Sequence, residues 1–471
     1  MTTFMPVTDK VIEDLRAIVG SHNVSTDEEK RLTYSRDEVG VQFWDREYCA
    51  DVVVFPESTE HVSKIMAYAN ENIIPVTPRG AGTGLSGGAV PAYGGIIMSF
   101  EKMNRILELD LENLTVTVEP GVVTSEIQVA AMKHSLQYAG DPCSGDASFI
   151  GGNVAENAGG NKVIKYGTTG ANVLGLEVVL PSGEVTWFGG KRRKDVTGLD
   201  LVHLMVGSEG TLGVVTKIIL KLVPLQDRIV DLLVPFEKVE DAISFVPKVI
   251  TEAKIVPVAL EFMDRRALKI VSRYLGSSLP FDDAGAHLII QLEGRDPEVL
   301  ADEYEKVGDM CLGNGALEVF VADNRNFREK LWKARKGIAE AVMAFYTKYA
   351  KEDISVPIRE VPALIKAVDE VCQKWNLEAA NYGHAGDGNV HINLLAGEDR
   401  ADWHEAIEGA RVDLYEATKK LGGTLSGEHG IGLKRKKYIG MFLDEAQIRL
   451  IKGIKKVFDP KGILNPGKLV D

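Results

Sequence analysis

Glycine is spread unevenly along this chain, and that unevenness limits what the first half can fold into. Twelve of the chain's 47 glycines gather in three short segments. These are Pro78-Arg79-Gly80-Ala81-Gly82-Thr83-Gly84-Leu85-Ser86-Gly87-Gly88, Ile150-Gly151-Gly152-Asn153-Val154-Ala155-Glu156-Asn157-Ala158-Gly159-Gly160 and Gly207-Ser208-Glu209-Gly210-Thr211-Leu212-Gly213. Gly140-Asp141-Pro142-Cys143 and Tyr166-Gly167 flank the second of them. Without Cβ atoms, successive backbone N–H groups can converge on an anion. Residues this small, beside amides and hydroxyls, also let a flat polar heterocycle lie on bare backbone. One such segment could be a turn; several in one half of a chain are not explained by turns alone. Gly82-x-Gly84-x-x-Gly87 has dinucleotide-fingerprint spacing, but that fingerprint must open a helix, and here Pro91-Ala92-Tyr93-Gly94-Gly95 leads into a strand. A pyrophosphate cradle of another kind is the better expectation.

The chain is 471 residues long, more than one hydrophobic core usually serves. A helical segment is expected over 1–45, with Val11, Leu15 and Ile18 at helical spacing. An α/β region follows over 46–225. Its expected strands are Val52–Phe55, Ile74–Pro78, Ile96–Ser99, Leu114–Val118, residues 173–186 and residues 213–222, and Ser58 caps a helix running to about Asn70. Residues 226–421 read as a second α+β domain, with a strand at Leu288–Leu292 and helices near 237–253, 297–309, 360–375 and 401–421. The segment 422–471 holds an Asp444-x-x-Gln447 capping box and a helix to Phe458.

A net charge of −14 argues against nucleic acid as the main partner. Cys49, Cys143, Cys311 and Cys372 are scattered without a C-x-x-C pair. That suits a reducing cytoplasm and offers no disulfide frame or iron–sulfur ligation. The N-terminus lacks a leader pattern, and no apolar run reaches the roughly 18–20 residues that span a bilayer. A cytoplasmic location is expected.

Gly383-His384-Ala385-Gly386-Asp387-Gly388-Asn389-Val390-His391 and Gly427-Glu428-His429-Gly430 supply three of the chain's nine histidines. Asp387-Gly388 predicts a two-residue type I′ hairpin. Counting outward pairs His384 with His391 on one face, their Cβ atoms roughly 4.5–5.5 Å apart. With Glu428 as a third ligand, the pair suits a divalent metal (Zn, Fe or Mn) that keeps open positions. The alternative is a hydrogen-bonded histidine pair in a polar pocket.

These motifs resemble the vanillyl-alcohol-oxidase/p-cresol-methylhydroxylase flavoprotein superfamily. Within it they resemble the FAD-linked D-2-hydroxyacid dehydrogenases, a group that includes D-lactate and D-2-hydroxyglutarate dehydrogenases and the flavin subunit of glycolate oxidase. The carriers are Pro-Arg-Gly-x-Gly-Thr-Gly, Ile-Gly-Gly-Asn-Val-Ala-Glu-Asn-Ala-Gly-Gly, Gly-Ser-Glu-Gly-Thr-Leu-Gly, Gly-Asp-Gly-Asn-x-His and Leu464-Asn465-Pro466-Gly467-Lys468. The resemblance implies an α+β fold with a two-subdomain FAD-binding domain, a substrate cap domain and a C-terminal tail returning to the flavin. It implies non-covalent FAD, because residues 79–88 contain no histidine for covalent attachment. The cofactor residues it implies are Arg79, Gly80, Ala81, Gly82, Thr83, Gly84, Leu85, Asp141, Pro142, Ser148, Gly151, Gly152, Asn153, Asn157, Gly159, Gly160, Tyr166, Gly167, Glu209, Gly210, Gly213, Val215 and Asn465. Cys143 lies where a thiol could approach the flavin, although a buried packing cysteine is the expected reading.

Residues 328–346 predict one amphipathic helix with Leu331, Ile338, Val342 and Phe345 on its apolar stripe. Arg335 falls on that stripe, where a guanidinium needs an anion; a protein carboxylate, escape to the rim, or a ligand would each serve. The resemblance makes Arg335 the clamp for a substrate carboxylate and Lys351 a second cation; by itself Lys351 reads as a surface lysine. His429 is expected to act as general base, and Asn393, two residues past His391 and thus on the same strand face, as a further contact. Hydride transfer from a D-2-hydroxyacid (D-lactate favoured) to flavin N5 would follow. Electrons would then pass to a partner protein, an electron-transferring flavoprotein or an iron–sulfur subunit. A zinc-type hydrolase and a non-catalytic electron-relay flavin subunit are the competing readings.

Overall fold

Val52-Val53-Val54 and Ile96-Ile97-Met98-Ser99 are apolar at nearly every position, the pattern of strands covered on both faces. In the computed structural model, which describes residues 3–40 and 43–470, they are the two central strands of a four-stranded sheet. Its order is Val24–Ser25, Val52–Val54, Ile96–Ser99, Val76–Arg79, and only the first pair is antiparallel. No helix joins Val76–Arg79 to Ile96–Ser99, so the loop at 80–95 is not a dinucleotide fingerprint. The helix Thr59–Asn72 begins at Ser58, whose side chain accepts from the His61 N–H.

The segment expected to be helical over 1–45 holds two helices, Asp9–Val19 and Glu28–Tyr34; its residues 1, 2, 41 and 42 lie outside the described ones. Between the helices, Val24–Ser25 pairs with Val52–Val54, so the segment is also an edge of this sheet. Val11, Leu15 and Val19 pack into the same core as Val52, Ile65, Ile96 and Leu464.

By contact the chain divides into two units. The first comprises Met1–Gly159, Gly167–Leu225 and Glu428–Asp471; the second comprises Gly160–Tyr166 and Gln226–Gly427. The first unit also contains an antiparallel sheet ordered Ile106–Asp110, Thr115–Val118, Val214–Pro224, Val173–Val179, Val185–Gly189, with Leu136–Tyr138 on the far end of the long strand. Its C-terminal helix, Glu445–Phe458, starts at the Asp444–Gln447 capping box. The chain then turns back to the four-stranded sheet. Leu464 bridges Val76 in parallel, and Asn465 donates its N–H to Val76 O at 2.7 Å. Asp459 fixes that return by accepting from the N–H groups of Ile463 and Leu464 and from Lys455 Nζ.

The second unit is built on a seven-stranded antiparallel sheet. Its order is Phe320–Ala322, Arg228–Phe236, Ala286–Gly294, Ala259–Asp264, Glu378–His384, Asn389–Ala396, Lys348–Ser355. Two sequence expectations fail here. The helix over 328–346 is two helices, Arg325–Lys336 and Ile338–Phe345, broken at Gly337, where ψ has opened to −5°. The hairpin loop has four residues, Ala385 to Gly388, so His384 pairs with Asn389 and His391 with Tyr382. Only Gly388 has positive φ, whereas a type I′ turn needs it at both central residues. Asp387 N–H and Gly388 N–H both bond His384 O, closing a wider turn. The register is displaced by two residues, which keeps His384 and His391 on one face, because side chains alternate with period two.

Candidate active site

In the first unit the glycine segments converge on one cavity. Its wall includes residues 78–85, 142–144, 151–153, 208–210 and 213–215, together with Gly159, Glu428, His429 and Asn465. Gly152 shows why bare backbone is needed: it lines the cavity, and a Cβ built on it would meet no protein atom within 4 Å. Any side chain there would occupy the space of a bound group. Gly159 serves a different purpose, since its Cβ would stand 2.6 Å from Glu428 Oε2. Asn465, on the returning tail, donates to Gly88 O and to Glu209 O at 3.0 and 2.8 Å, joining two glycine loops.

Most of the residues expected to hold a flavin lie in this wall: residues 79–85, Pro142, Gly151, Gly152, Asn153, Gly159, Glu209, Gly210, Gly213, Val215 and Asn465. Six others do not line it. Asp141 precedes Pro142. Ser148 lies 3.3 Å from Thr124 Oγ1, which in turn accepts from Asn153 Nδ2. Asn157 ends the helix Ile150–Glu156 in a left-handed conformation and accepts from Gly170 N–H. Gly167 has φ of 75°. Gly160 and Tyr166 belong to the second unit, where Tyr166 Oη bonds Glu293. Cys143 corrects the expectation of a buried packing thiol: it is exposed and lines the cavity. Its neighbours Ser144, Gly145 and Asp146 lie in a short looped segment with no core to enter.

Glu156 is a wall residue that the sequence reading passed over. It is half-buried in the wall, and burial of its carboxyl, then the nearby charges of Glu209 and Asp37, raise its pKa well above the ordinary carboxyl range. Asp37 is itself pushed up to about 6 by burial, against N–H donation from Val39 and Gly87.

In the second unit, one face of the sheet carries Glu261, Tyr382, His384, Asn389, His391, Asn393, Asp353 and Lys351, as the registers require. His384 and His391 stand edge to face with ring centroids 5.3 Å apart. Glu261 is buried and ties two of the expected residues together: Oε1 is 2.8 Å from His384 Nδ1, and Oε2 is 2.6 Å from Arg335 Nη2. Arg335 is 2% exposed, with its guanidinium 4.8 Å from the Tyr382 ring centroid. Its anion within the protein is therefore Glu261. With Nδ1 held by Glu261, Nε2 is the nitrogen His384 could offer to a metal, an arrangement common behind metal-bound histidines. Asp353 stands 3.6 Å from His391 Nδ1 and accepts from Asn389 Nδ2, Ser426 Oγ and Gly427 N–H, so it fixes the stretch that leads into Glu428.

Lys351 and Asn393 pair across neighbouring strands. Lys351 is half-buried, its Nζ 3.4 Å from Met343 Sδ. Asn393 is 1% exposed and donates to Ala380 O, but among the described residues its Oδ1 has no hydrogen-bond partner. A buried acceptor left over in this way is uncommon and suits a ligand contact. Sequence reasoning missed Glu261, Asp353 and Tyr382. For Glu261 a signal existed: it is the one charge within Val258-Ala259-Leu260-Glu261-Phe262-Met263, and a charge within an apolar strand needs a partner.

A family model described as "FAD linked oxidases, C-terminal domain" matches residues 225–469, and one described as "FAD binding domain" matches residues 50–189. The glycolate oxidase subunit GlcD of Bacillus subtilis (strain 168) is 39% identical, over 98% of this chain and 97% of that protein. This chain belongs to the FAD-linked oxidase family. The D-lactate dehydrogenase of Anaerostipes hadrus is 35% identical over 98% of both chains. A structure of p-cresol methylhydroxylase with substrate bound matches with a TM-score of 0.79 at 17% identity, covering 100% of this chain and 99% of that one. That likeness is one of fold, the α+β fold of the vanillyl-alcohol-oxidase/p-cresol-methylhydroxylase superfamily. As an FAD-linked oxidoreductase, the chain has a cavity whose chemistry fits its cofactor: glycine backbone for close approach and no side chain at Gly152 to block it.

The raised pKa of Glu156 has a consequence for stability. The unfolded chain ionises this carboxyl near the ordinary value of about 4.3. Unfolding therefore releases a proton, and stability falls as pH rises above that value, until the folded group ionises too. Glu156→Gln keeps the neutral shape and removes this pH dependence. Relative to the native protein, the variant is expected to gain more in Tm near pH ~8 than near pH ~5. Equal shifts at both pH values in thermal scans would mean that Glu156 is ionised in the fold.

Proposed function

We propose that this protein oxidises a short D-2-hydroxyacid, with D-lactate the favoured donor, to the 2-oxoacid, using non-covalent FAD. The observation that carries the reading is the shared face of the second unit's sheet. There one buried carboxylate, Glu261, organises both a buried guanidinium and the first of two neighbouring imidazoles. The names of the two relatives refer to glycolate and D-lactate, both small 2-hydroxyacids, and such an acid needs a cation for its carboxylate and a group to take its hydroxyl proton.

Arg335 supplies the first. A guanidinium has five N–H donors, and Glu261 engages one end of it, so another edge can take a carboxylate in a fork. Lys351 is the second cation, and Asn393 Oδ1 a contact that orients the acid. His384, His391 and Glu428 would hold a divalent ion (Zn, Fe or Mn), which when bound lowers the pKa of a coordinating hydroxyl. His429, in the wall of the first unit's cavity, takes the hydroxyl proton as general base, a contribution of about 10²–10⁴ in rate. FAD would supply the acceptor for the Cα hydride, which carries both electrons, while the hydroxyl proton goes to His429 and from there to solvent. The two electrons would then pass to a partner protein, with an electron-transferring flavoprotein favoured over an iron–sulfur subunit. The scattered cysteines and a structure without a helix long and apolar enough to cross a membrane among its described residues are compatible with a cytoplasmic acceptor.

Anaerobic mixing of the yellow holoenzyme with D-lactate, L-lactate, glycolate and D-2-hydroxyglutarate tests the reaction. D-lactate is expected to bleach the flavin fastest, with one pyruvate formed per flavin. A flavin left oxidised by every member of the panel would rule the proposal out. Metal is tested separately. Removing it with a chelator should abolish bleaching while the FAD stays bound, and re-addition of Zn²⁺, Mn²⁺ or Fe²⁺ should restore it. Full turnover in a sample shown to be metal-free by elemental analysis would assign the histidine pair to substrate binding alone.

A further inference from the structure

The segment that carries Glu428 and His429 has no regular secondary structure, so something outside it must set its position. Glu209 does this at short range. Its Oε1 accepts the N–H of Ile431 at 2.7 Å and its Oε2 accepts the N–H of Gly432 at 2.6 Å, so both carboxylate oxygens are taken by adjacent amides. Glu209 is itself fixed. It sits at φ 52°, donates its N–H to Ala155 O at 2.8 Å, and receives Asn465 Nδ2 on its own carbonyl.

The glycines of the segment show how closely it is seated. A Cβ on Gly430 would collide with Glu156 Oε2 and lie 3.1 Å from Glu209 Oε1, and a Cβ on Gly432 would collide with Ser86 O. Arg435 is fully buried and donates Nη1 to Gly430 O at 3.0 Å, holding the same residue from the other side. Two wall carboxyls, Glu156 and Glu209, with the buried Arg435 guanidinium behind them, thus form a socket that fits bare backbone only.

We propose that Glu209 is a positioning residue for the proposed base: through the amides of Ile431 and Gly432 it sets where His429 stands in the cavity wall, and Glu156 completes the socket against Gly430. Division of labour within the pair follows from the surroundings. Burial raises the pKa of both carboxyls; two backbone amides favour the charged form at Glu209, while at Glu156 the charge of Arg435 and the Ser86 hydroxyl oppose burial and the pKa still lies well above the ordinary range. The charge of Glu209 further raises the pKa of Glu156, and the two N–H groups favour charge at Glu209.

The inference rests on the hydroxyacid reading, so its test begins by showing that the native holoenzyme is bleached by D-lactate. Were it not, the functional reading would fail before the socket was tested. Glu209→Gln keeps the size but turns an amide NH₂ toward one of the two N–H groups. In the FAD-loaded variant, the anaerobic bleaching rate with D-lactate is expected to fall at least tenfold while KM changes less than about twofold, because the base moves and the carboxylate clamp does not. Gly430→Ala, which pushes the same segment off the same socket, should show the same split. The double variant should lose little more than the worse single one, as expected for groups acting through one element. Native bleaching in FAD-loaded Glu209→Gln, or fully multiplicative losses in the double variant, would overturn the proposal. If Glu209→Gln fails to retain FAD, Gly430→Ala decides alone: a rate loss at unchanged KM supports the socket, and a native rate refutes it.

Discussion

A carboxylate with no exposure to water must be matched by cations or donors, or it does not stay charged. Glu261 is one residue of the second unit on which that requirement falls, and the candidate centre is arranged around it. Its two oxygens divide between Arg335 and His384, so one buried charge decides both which nitrogen His384 presents and where the guanidinium lies. Tyr382 covers the guanidinium face, adding a cation–π contact. Removing either partner from such a buried pair costs about 3–5 kcal/mol. The pairing lets Arg335 keep its charge on an otherwise apolar helix stripe, as the proposed role in binding a substrate carboxylate requires.

The first unit solves a different problem. A large planar cofactor with a pyrophosphate needs donors at close range and no side chains in the way, and the sequence meets that with backbone. The glycine loops at 80–88, 151–160 and 207–213 come from separate parts of the chain, and the returning tail connects two of them through Asn465. The tail can do so because Asp459 closes the turn after the last helix and Leu464 joins the sheet beside Val76. Cofactor cradle and C-terminus are in this sense one construction.

Much of the architecture could be read from the residues. The all-apolar strands at Val52–Val54 and Ile96–Ser99, the Ser58 cap and the Asp444–Gln447 box are local signals, and each element formed where its signal lay. The failures share a cause: tertiary bonds overrode a local preference. Asp387-Gly388 prefers a two-residue turn, yet Gly386 N–H is taken by Leu260 O on the neighbouring strand, which widens the loop to four residues. The helix at Arg335 breaks at Gly337, the weakest helix former in that stretch. At the site, the motif residues were legible because their chemistry is local, whereas Glu261, Asp353 and Glu156 act through partners more than 30 positions away or through burial, which no spacing reveals. Glu261 alone left a trace, as a charge inside an apolar strand.

Glu261→Gln tests most directly whether Glu261 sets both the proposed metal-ligand histidine and the proposed carboxylate clamp. The amide keeps the side chain's volume and removes its charge. Metal content of the purified holoenzyme by elemental analysis and KM for D-lactate should be measured on the same sample. The account predicts a metal affinity lowered roughly 10–100-fold and a raised KM, with FAD retained in full. Native metal content together with a native KM would contradict it and leave Glu261 as a core charge with no part in the site.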